Sequence, residues 1–174
     1  MSTEDNKVAV RRFYEEIINK KNVTALEVFI NTNCLDHALP AGIPTGIEGS
    51  KQFISMFLMA FPDLHFTVED MIAEGDKVVA RLTIQGTQTG SFLGISPTGR
   101  HATIGCIDIN RMSDGKSMEH WLEMDTLGLL QQLGVIPVSS PQPADPMQDL
   151  SDAQLEHVAG GWPSFLDNVV NRQE

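Results

Sequence analysis

The spacing of apolar positions changes once along the chain, from helical to alternating. Between residues 4 and about 20, Val8, Val10, Phe13, Tyr14, Ile17 and Ile18 recur at roughly 3.6-residue spacing, which predicts a helix. Ser2 or Thr3 can cap it, with Glu4 and Asp5 in the first turn. A second, short helix is expected over about 23–31, with Leu26, Phe29 and Ile30 inward. His37-Ala38-Leu39-Pro40-Ala41-Gly42-Ile43-Pro44-Thr45-Gly46 is rich in turn residues and reads as a loop. A third helix begins near Ser50, carries Phe53, Ile54, Phe57 and Leu58, and stops before Pro62.

Beyond Pro62 the period becomes two. Leu64 to Ala73 reads as a strand, and Glu74-Gly75-Asp76-Lys77 has the chemistry of a hairpin turn. From Lys77 to Gly86, Val79, Arg81, Thr83 and Gln85 alternate with Val78, Ala80, Leu82 and Ile84. Thr87 to Gly99 is loop-like, and His101 to Met112 is a further strand. Asp114-Gly115 then turns the chain into a last strand, after which Asp125 or Thr126 caps a helix through Leu133, ended by Gly134 and Pro137. Helices first and strands later indicate an α+β fold with an antiparallel sheet. Helices on one face of a curved sheet leave a cone, and cones enclose pockets.

The last strand carries the candidate chemistry. Its alternation sends Glu119, Trp121, Glu123 and Asp125 to one face, and Met118, His120, Leu122 and Met124 to the other. The acidic set fits a solvated outer face. It also fits a pocket wall where a carboxylate moves protons, because a large indole on a wholly exposed face is unusual. For Asp125 the ordinary structural role is a helix N-cap. His120, on the opposite face from Asp125, is not expected to act directly. Arg81 can pair with Glu119 or Asp125, or reach solvent, and the sequence leaves these open.

Charge and cysteines narrow the class. The net charge is −11, from 12 Lys plus Arg against 23 Asp plus Glu, which argues against binding a phosphate backbone. Cys34 and Cys106 have no zinc-ligand spacing, so no metal is expected, and two reduced thiols in a cytoplasmic protein fit. The polar N-terminus shows no secretion signal, and no apolar run is long enough to cross a bilayer. Ser91, Ser96 and Ser117 lack a G-x-S-x-G setting, and the glycines from 86 to 99 form no phosphate cradle.

Residues 1–137 read as one domain, 138–149 as a Pro-rich linker, and 150–174 as a short helical tail. The sequence Leu150-Ser151-Asp152-Ala153-Gln154-Leu155-Glu156-His157-Val158-Ala159-Gly160-Gly161 resembles the end of a double-glycine leader. That resemblance implies a processing protease or exporter as partner and cleavage after Gly161. The folded part would then be a non-catalytic binding or leader domain. The alternative is a glycine-capped helix followed by a docking helix.

Five ordered pieces carry a further resemblance. They are Phe61-Pro62-Asp63-Leu64, Ala73-Glu74-Gly75-Asp76-Lys77-Val78-Val79, and Gly94-Ile95-Ser96-Pro97-Thr98-Gly99-Arg100. Then come Asp114-Gly115-Lys116 with Glu119-His120-Trp121 and Asp125, and finally Leu127-Gly128-Leu129-Leu130-Gln131-Gln132-Leu133-Gly134-Val135-Ile136-Pro137. Together they resemble the SnoaL-like polyketide (ester) cyclase family, of the nuclear-transport-factor-2-like fold. The resemblance implies a cone-shaped α+β barrel and a hydrophobic small-molecule substrate. It implies ring closure by intramolecular aldol chemistry without cofactor, and a homodimer paired through the sheet. It implies that Asp125 is the general acid/base and that His37 lines the same pocket, with Trp121, Glu119, Arg81 and Phe57 around the substrate. Gln88 stands where many family members have histidine. A glutamine can donate a hydrogen bond to an enolate oxygen but cannot shuttle a proton at neutral pH.

Overall fold

A computed structural model describes residues 1–137 of the chain, and the linker and tail expectations for 138–174 lie outside them. Helix α1 (Thr3–Phe13) starts at Ser2, whose hydroxyl accepts from the Asp5 amide at 3.1 Å while the Asp5 carboxylate accepts from the Ser2 amide at 3.0 Å. This reciprocal pair satisfies two donors that a helix start leaves open. The helix runs on into wider π-helical turns at Tyr14–Asn19, which keep Tyr14, Ile17 and Ile18 all inward. Asn19 then clamps this end to the sheet, donating to the Phe66 carbonyl at 3.0 Å and accepting from the Phe66 amide at 2.8 Å.

The expected second helix is a 3-10 segment (Val23–Val28), and a strand follows directly: β1 (Ile30–Asp36). Helix α2 (Ile47–Ala60) precedes β2 (His65–Glu74), β3 (Lys77–Thr87), β4 (His101–Ser113), β5 (Lys116–Met124) and α3 (Thr126–Gln132). The sheet order is β1-β5-β4-β3-β2. Neighbours pair antiparallel except β1, which runs parallel to β5. The sheet does not close into a barrel, since β1 and β2 are its edges.

Two local features set which side chains face the helices. At the β4–β5 hairpin, Asp114 (φ 49°) and Gly115 (φ 76°) both take positive φ, the requirement of a type I′ turn. Just beyond, Arg111 pairs with Glu119 but Met112 with Ser117, so Met118 is an extra, bulged residue. The bulge shifts the phase of β5. Ser117 and His120 both turn to the concave face, although one is odd-numbered and the other even.

The core lies between that concave face and the helices. β4 contributes Ala102, Ile104, Cys106 and Met112, and β3 contributes Val78, Ala80, Leu82 and Ile84. Helix α1 packs on β2 and β3, α2 on β1, and α3 on β4. Phe57, Phe61, Phe66 and Phe92 interlock at one end, with Phe57 stacked on Phe92 at 4.8 Å between ring centroids. Cys34 and Cys106 are free and buried, in line with reduced thiols. Among the described residues no helix is long and apolar enough to cross a membrane.

Candidate functional site

The concave face and the helices leave a cavity that opens to solvent at one mouth. Its walls are largely apolar: Phe13 and Ile18 from the first helical segment, Phe53 and Phe57 from α2, and Phe66 and Leu122 from the sheet. Among the described residues, no lysine or arginine lines it. Its polar end is built by four segments that are remote in sequence. Tyr14 comes from the π-helical turn, Asp36 from the end of β1, Asp108 and Asn110 from β4, and Ser117 and His120 from β5.

These groups form one hydrogen-bonded assembly. His120 Nδ1 lies 2.8 Å from Asp36 Oδ1, and its Nε2 lies 3.1 Å from Asp108 Oδ1. Ionised carboxylates only accept hydrogen bonds, so a ring flanked by two of them carries a proton on both nitrogens. Burial would push His120 down, but the Asp108 charge and the hydrogen bonds to both aspartates outweigh it and raise it to about 10. Asp108 Oδ2 accepts from the Tyr14 hydroxyl, and Asp108 Oδ1 from Asn110 Nδ2 at 2.9 Å. The Asp108 carboxylate only accepts, which fixes the Asn110 amide with its nitrogen toward Asp108, and the Ser117 hydroxyl donates to Asn110 Oδ1 at 2.7 Å. Tyr14 is held well above its ordinary value by burial first and by the Asp108 charge second, so it stays a neutral donor.

The predicted site residues are distributed differently. Phe57 lines the cavity. His37 and Glu119 meet at 3.0 Å on the opposite, convex side, where Arg111 also reaches Glu119 at 2.9 Å. The hydrogen bonds from His37 and then Arg111 hold the Glu119 carboxyl below its usual range. Trp121 stacks on the His37 ring, with centroids 5.0 Å apart and planes 10° from parallel. The acidic face of β5 is therefore the solvated one, and its indole is covered by an imidazole rather than by a core. Asp125 is exposed and caps α3, accepting from the Gly128 amide at 2.8 Å. Arg81 is exposed on the convex face, level with Asp70 and Ile107. Gln88 is fully buried but braces a loop: it accepts from Thr98 Oγ1 at 2.8 Å and donates toward the Ile95 and Ser96 carbonyls.

Sequence reasoning does not single out Asp36, Asp108, Asn110, Ser117 or Tyr14 as site residues, and it sets His120 aside. A signal for two of them exists. Asp108 and Asn110 fall in phase with Ala102, Ile104, Cys106 and Met112, so β4 carries two polar residues on its otherwise apolar face.

Comparison with known proteins bears on the family and the fold. A family model described as SnoaL-like polyketide cyclase matches residues 8–133. Nogalonic acid methyl ester cyclase of Streptomyces nogalater is 31% identical over 107 residues, covering 61% of this chain and 77% of the cyclase. The structure of TsrD from Streptomyces laurentii superposes with a TM-score of 0.72 at 33% identity, covering 78% of this chain and 99% of TsrD. A candidate polyketide cyclase of Bacillus cereus superposes with a TM-score of 0.66 at 33% identity, covering 78% of this chain and 87% of that one.

Proposed function

The chain belongs to the SnoaL-like polyketide cyclase family, and from that premise we propose that it closes a ring in a hydrophobic polyketide ester by cofactor-free, intramolecular aldol chemistry. The observation that carries this reading is the Asp36–His120–Asp108 group at the polar end of an apolar cavity. Aldol closure needs a proton removed next to a carbonyl and a proton returned to the new alkoxide. A group that holds carboxylates and an imidazolium side by side has both functions within one hydrogen bond. Positioned proton transfer of this kind is worth roughly 10² to 10⁴ in rate, and holding a flexible chain in the closing conformation adds to it.

The test uses nogalonic acid methyl ester, the substrate class in the relative's name, and follows conversion by chromatography with mass detection. Ring closure leaves the mass unchanged and shifts retention. We expect wild type to convert it, and Asp125→Asn, which keeps a capping oxygen, to stay within about two-fold of wild type. A folded Asp125→Asn protein with no turnover would move the chemistry away from the cavity and sink this reading.

The outer sheet face supports a homodimer. Ile72, Val79, Ile109 and Trp121 are paired one to the next across β2, β3, β4 and β5, making an apolar row over four strands. Ile72 is 64% exposed, and Ile107 and Leu35 beside the row are 41% and 48% exposed. Lys77, Arg81 and Arg111 on β3 and β4 and Asp70, Glu74, Glu119 and Glu123 on the flanking β2 and β5 give the face both signs of charge. A self-complementary two-fold interface requires that the one patch supply its own counter-charges. Light scattering should give twice 19.1 kDa for wild type and 19.1 kDa for Ile109→Lys. A monomeric wild type would remove this interface.

A further inference from the structure

The two aspartates beside His120 are not equivalent. Both oxygens of Asp108 are occupied, by Tyr14 on Oδ2 and by Asn110 and His120 on Oδ1. Asp36 accepts through one oxygen: its Oδ1 receives the Ala38 amide at 3.0 Å and His120 Nδ1 at 2.8 Å. Among the described residues Asp36 Oδ2 receives no hydrogen bond. Among those same residues no buried side-chain oxygen or nitrogen lacks a partner, so this oxygen is not sealed off. Asp36 lines the cavity, and Oδ2 is the carboxylate oxygen of the assembly still open to a bound molecule.

We infer that Asp36 Oδ2 is the atom that takes the proton from carbon, and that Asp108 is a fixed anchor positioned by Tyr14 and by Asn110 with Ser117. This rests on the aldol reading above. In the first step Oδ2 removes a proton from the carbon next to a carbonyl, and the C–H electron pair becomes an enolate. The negative charge formed there is offset by the imidazolium of His120. The enolate carbon then bonds to a second carbonyl carbon of the same molecule, the π pair of that carbonyl moves to its oxygen, and the alkoxide takes the proton back from Asp36. No net proton is gained or lost and nothing is oxidised or reduced.

The asymmetry also assigns the polar residues around Asp108. The acceptor-only Asp108 carboxylate requires the nitrogen of Asn110 to face it, and the Ser117 hydroxyl then donates to the Asn110 oxygen on the other side. Ser117 reaches this position because the bulge at Met118 turns it inward. The bulge thus serves the anchor: it gives the cavity face two neighbouring polar residues, Ser117 and His120, from one strand.

The test compares Asp36→Asn with Asp108→Asn. The probe is 4-nitrophenol held above its own pKa, a phenolate that mimics the enolate, and binding is read from its absorbance. A carboxylate at the base position repels the phenolate, whereas an amide there stands in for the protonated base. Asp36→Asn should therefore bind the probe at least ~10-fold more tightly than wild type, and Asp108→Asn within ~3-fold of wild type. In turnover, Asp36→Asn should lose ~10² to 10⁴ in kcat with little change in KM. The Asp36→Asn side chain keeps an oxygen for the Ala38 amide. Asp36→Ser is the second variant should Asp36→Asn fold poorly, and it should show the same direction. Equal affinity in the three proteins, or the larger gain in Asp108→Asn, overturns the assignment. The phenolate titration needs no turnover, so failure of wild type to close a polyketide ring bears on the reaction and not on which aspartate is open.

Discussion

Replacing His120 with leucine is expected to remove much of the protein's margin of stability and to abolish turnover. Leucine matches the apolar wall but leaves Asp36 and Asp108 facing each other without the cation between them. Removing one partner from a buried ion pair costs about 3–5 kcal/mol, because the other charge stays desolvated and uncompensated. That is a large share of the ~5–15 kcal/mol that holds a domain together. Urea denaturation should show it as a lower midpoint with an unchanged slope. His120→Gln separates the two effects. Its amide donates to one aspartate and recovers part of the stability, yet it carries no charge to offset the enolate, so turnover stays lost. A His120→Gln protein that turned over at the wild-type rate would mean that the imidazolium is structural alone.

The second large effect is loss of stability in mild alkali. His120 stands at about 10 in the folded protein against an ordinary 6.5, so the folded state holds this proton more tightly than the unfolded chain does. A raised value stabilises the fold fully below the unfolded value and ceases to do so as pH climbs through the folded one. Stability should therefore fall between about pH 6.5 and 10, by on the order of 3–5 kcal/mol. Burial pushes Cys34 up to about 11 and Cys106 up to about 12, each from 9.0, so both extend the decline at higher pH in the same direction. Tyr14 has the same sign. The lowered carboxyls of Glu119, Glu27, Asp5 and Asp63 act oppositely, on the acid side, but sit at the surface where solvent screens them. Thermal melts from pH 6 to 9.5 should show a steady fall in wild type and a flat response in His120→Gln. A wild-type curve that is flat over that range would contradict a charged, doubly bonded His120.

Much of the fold is legible in the chain because it is written in period. The helical stripe from Val10 to Ile18, the alternation in β3 and the glycine turns at 75 and 115 all follow from local rules. β1 is not legible. Ile30-Asn31-Thr32-Asn33-Cys34-Leu35-Asp36 buries only Ile30 and Cys34 fully, four residues apart, and its pairing shifts register between Ile30 and Leu35, so no regular alternation shows. The site is lost at two further points. Alternation divides β5 into two faces but does not say which one is inside, and Trp121 points the wrong way because a surface histidine covers it. The bulge at Met118 then changes the phase of the strand, and no local pattern announces it. Asp125 shows how one residue type serves two purposes: the geometry of a carboxylate ahead of a helix is that of a cap, whatever else is asked of it.

The assembly around Asp108 joins positions 94 residues apart, from Tyr14, and His120 joins Asp36 across 84 residues. Pairings of such high sequence separation form late, after loop-closure entropy has been met. During synthesis the amino-terminal half therefore leaves the ribosome with its aspartate and tyrosine uncommitted. A chain stopped anywhere before the final hairpin has greasy walls and nothing to work with at their end. Competence arrives in a single late event rather than by degrees.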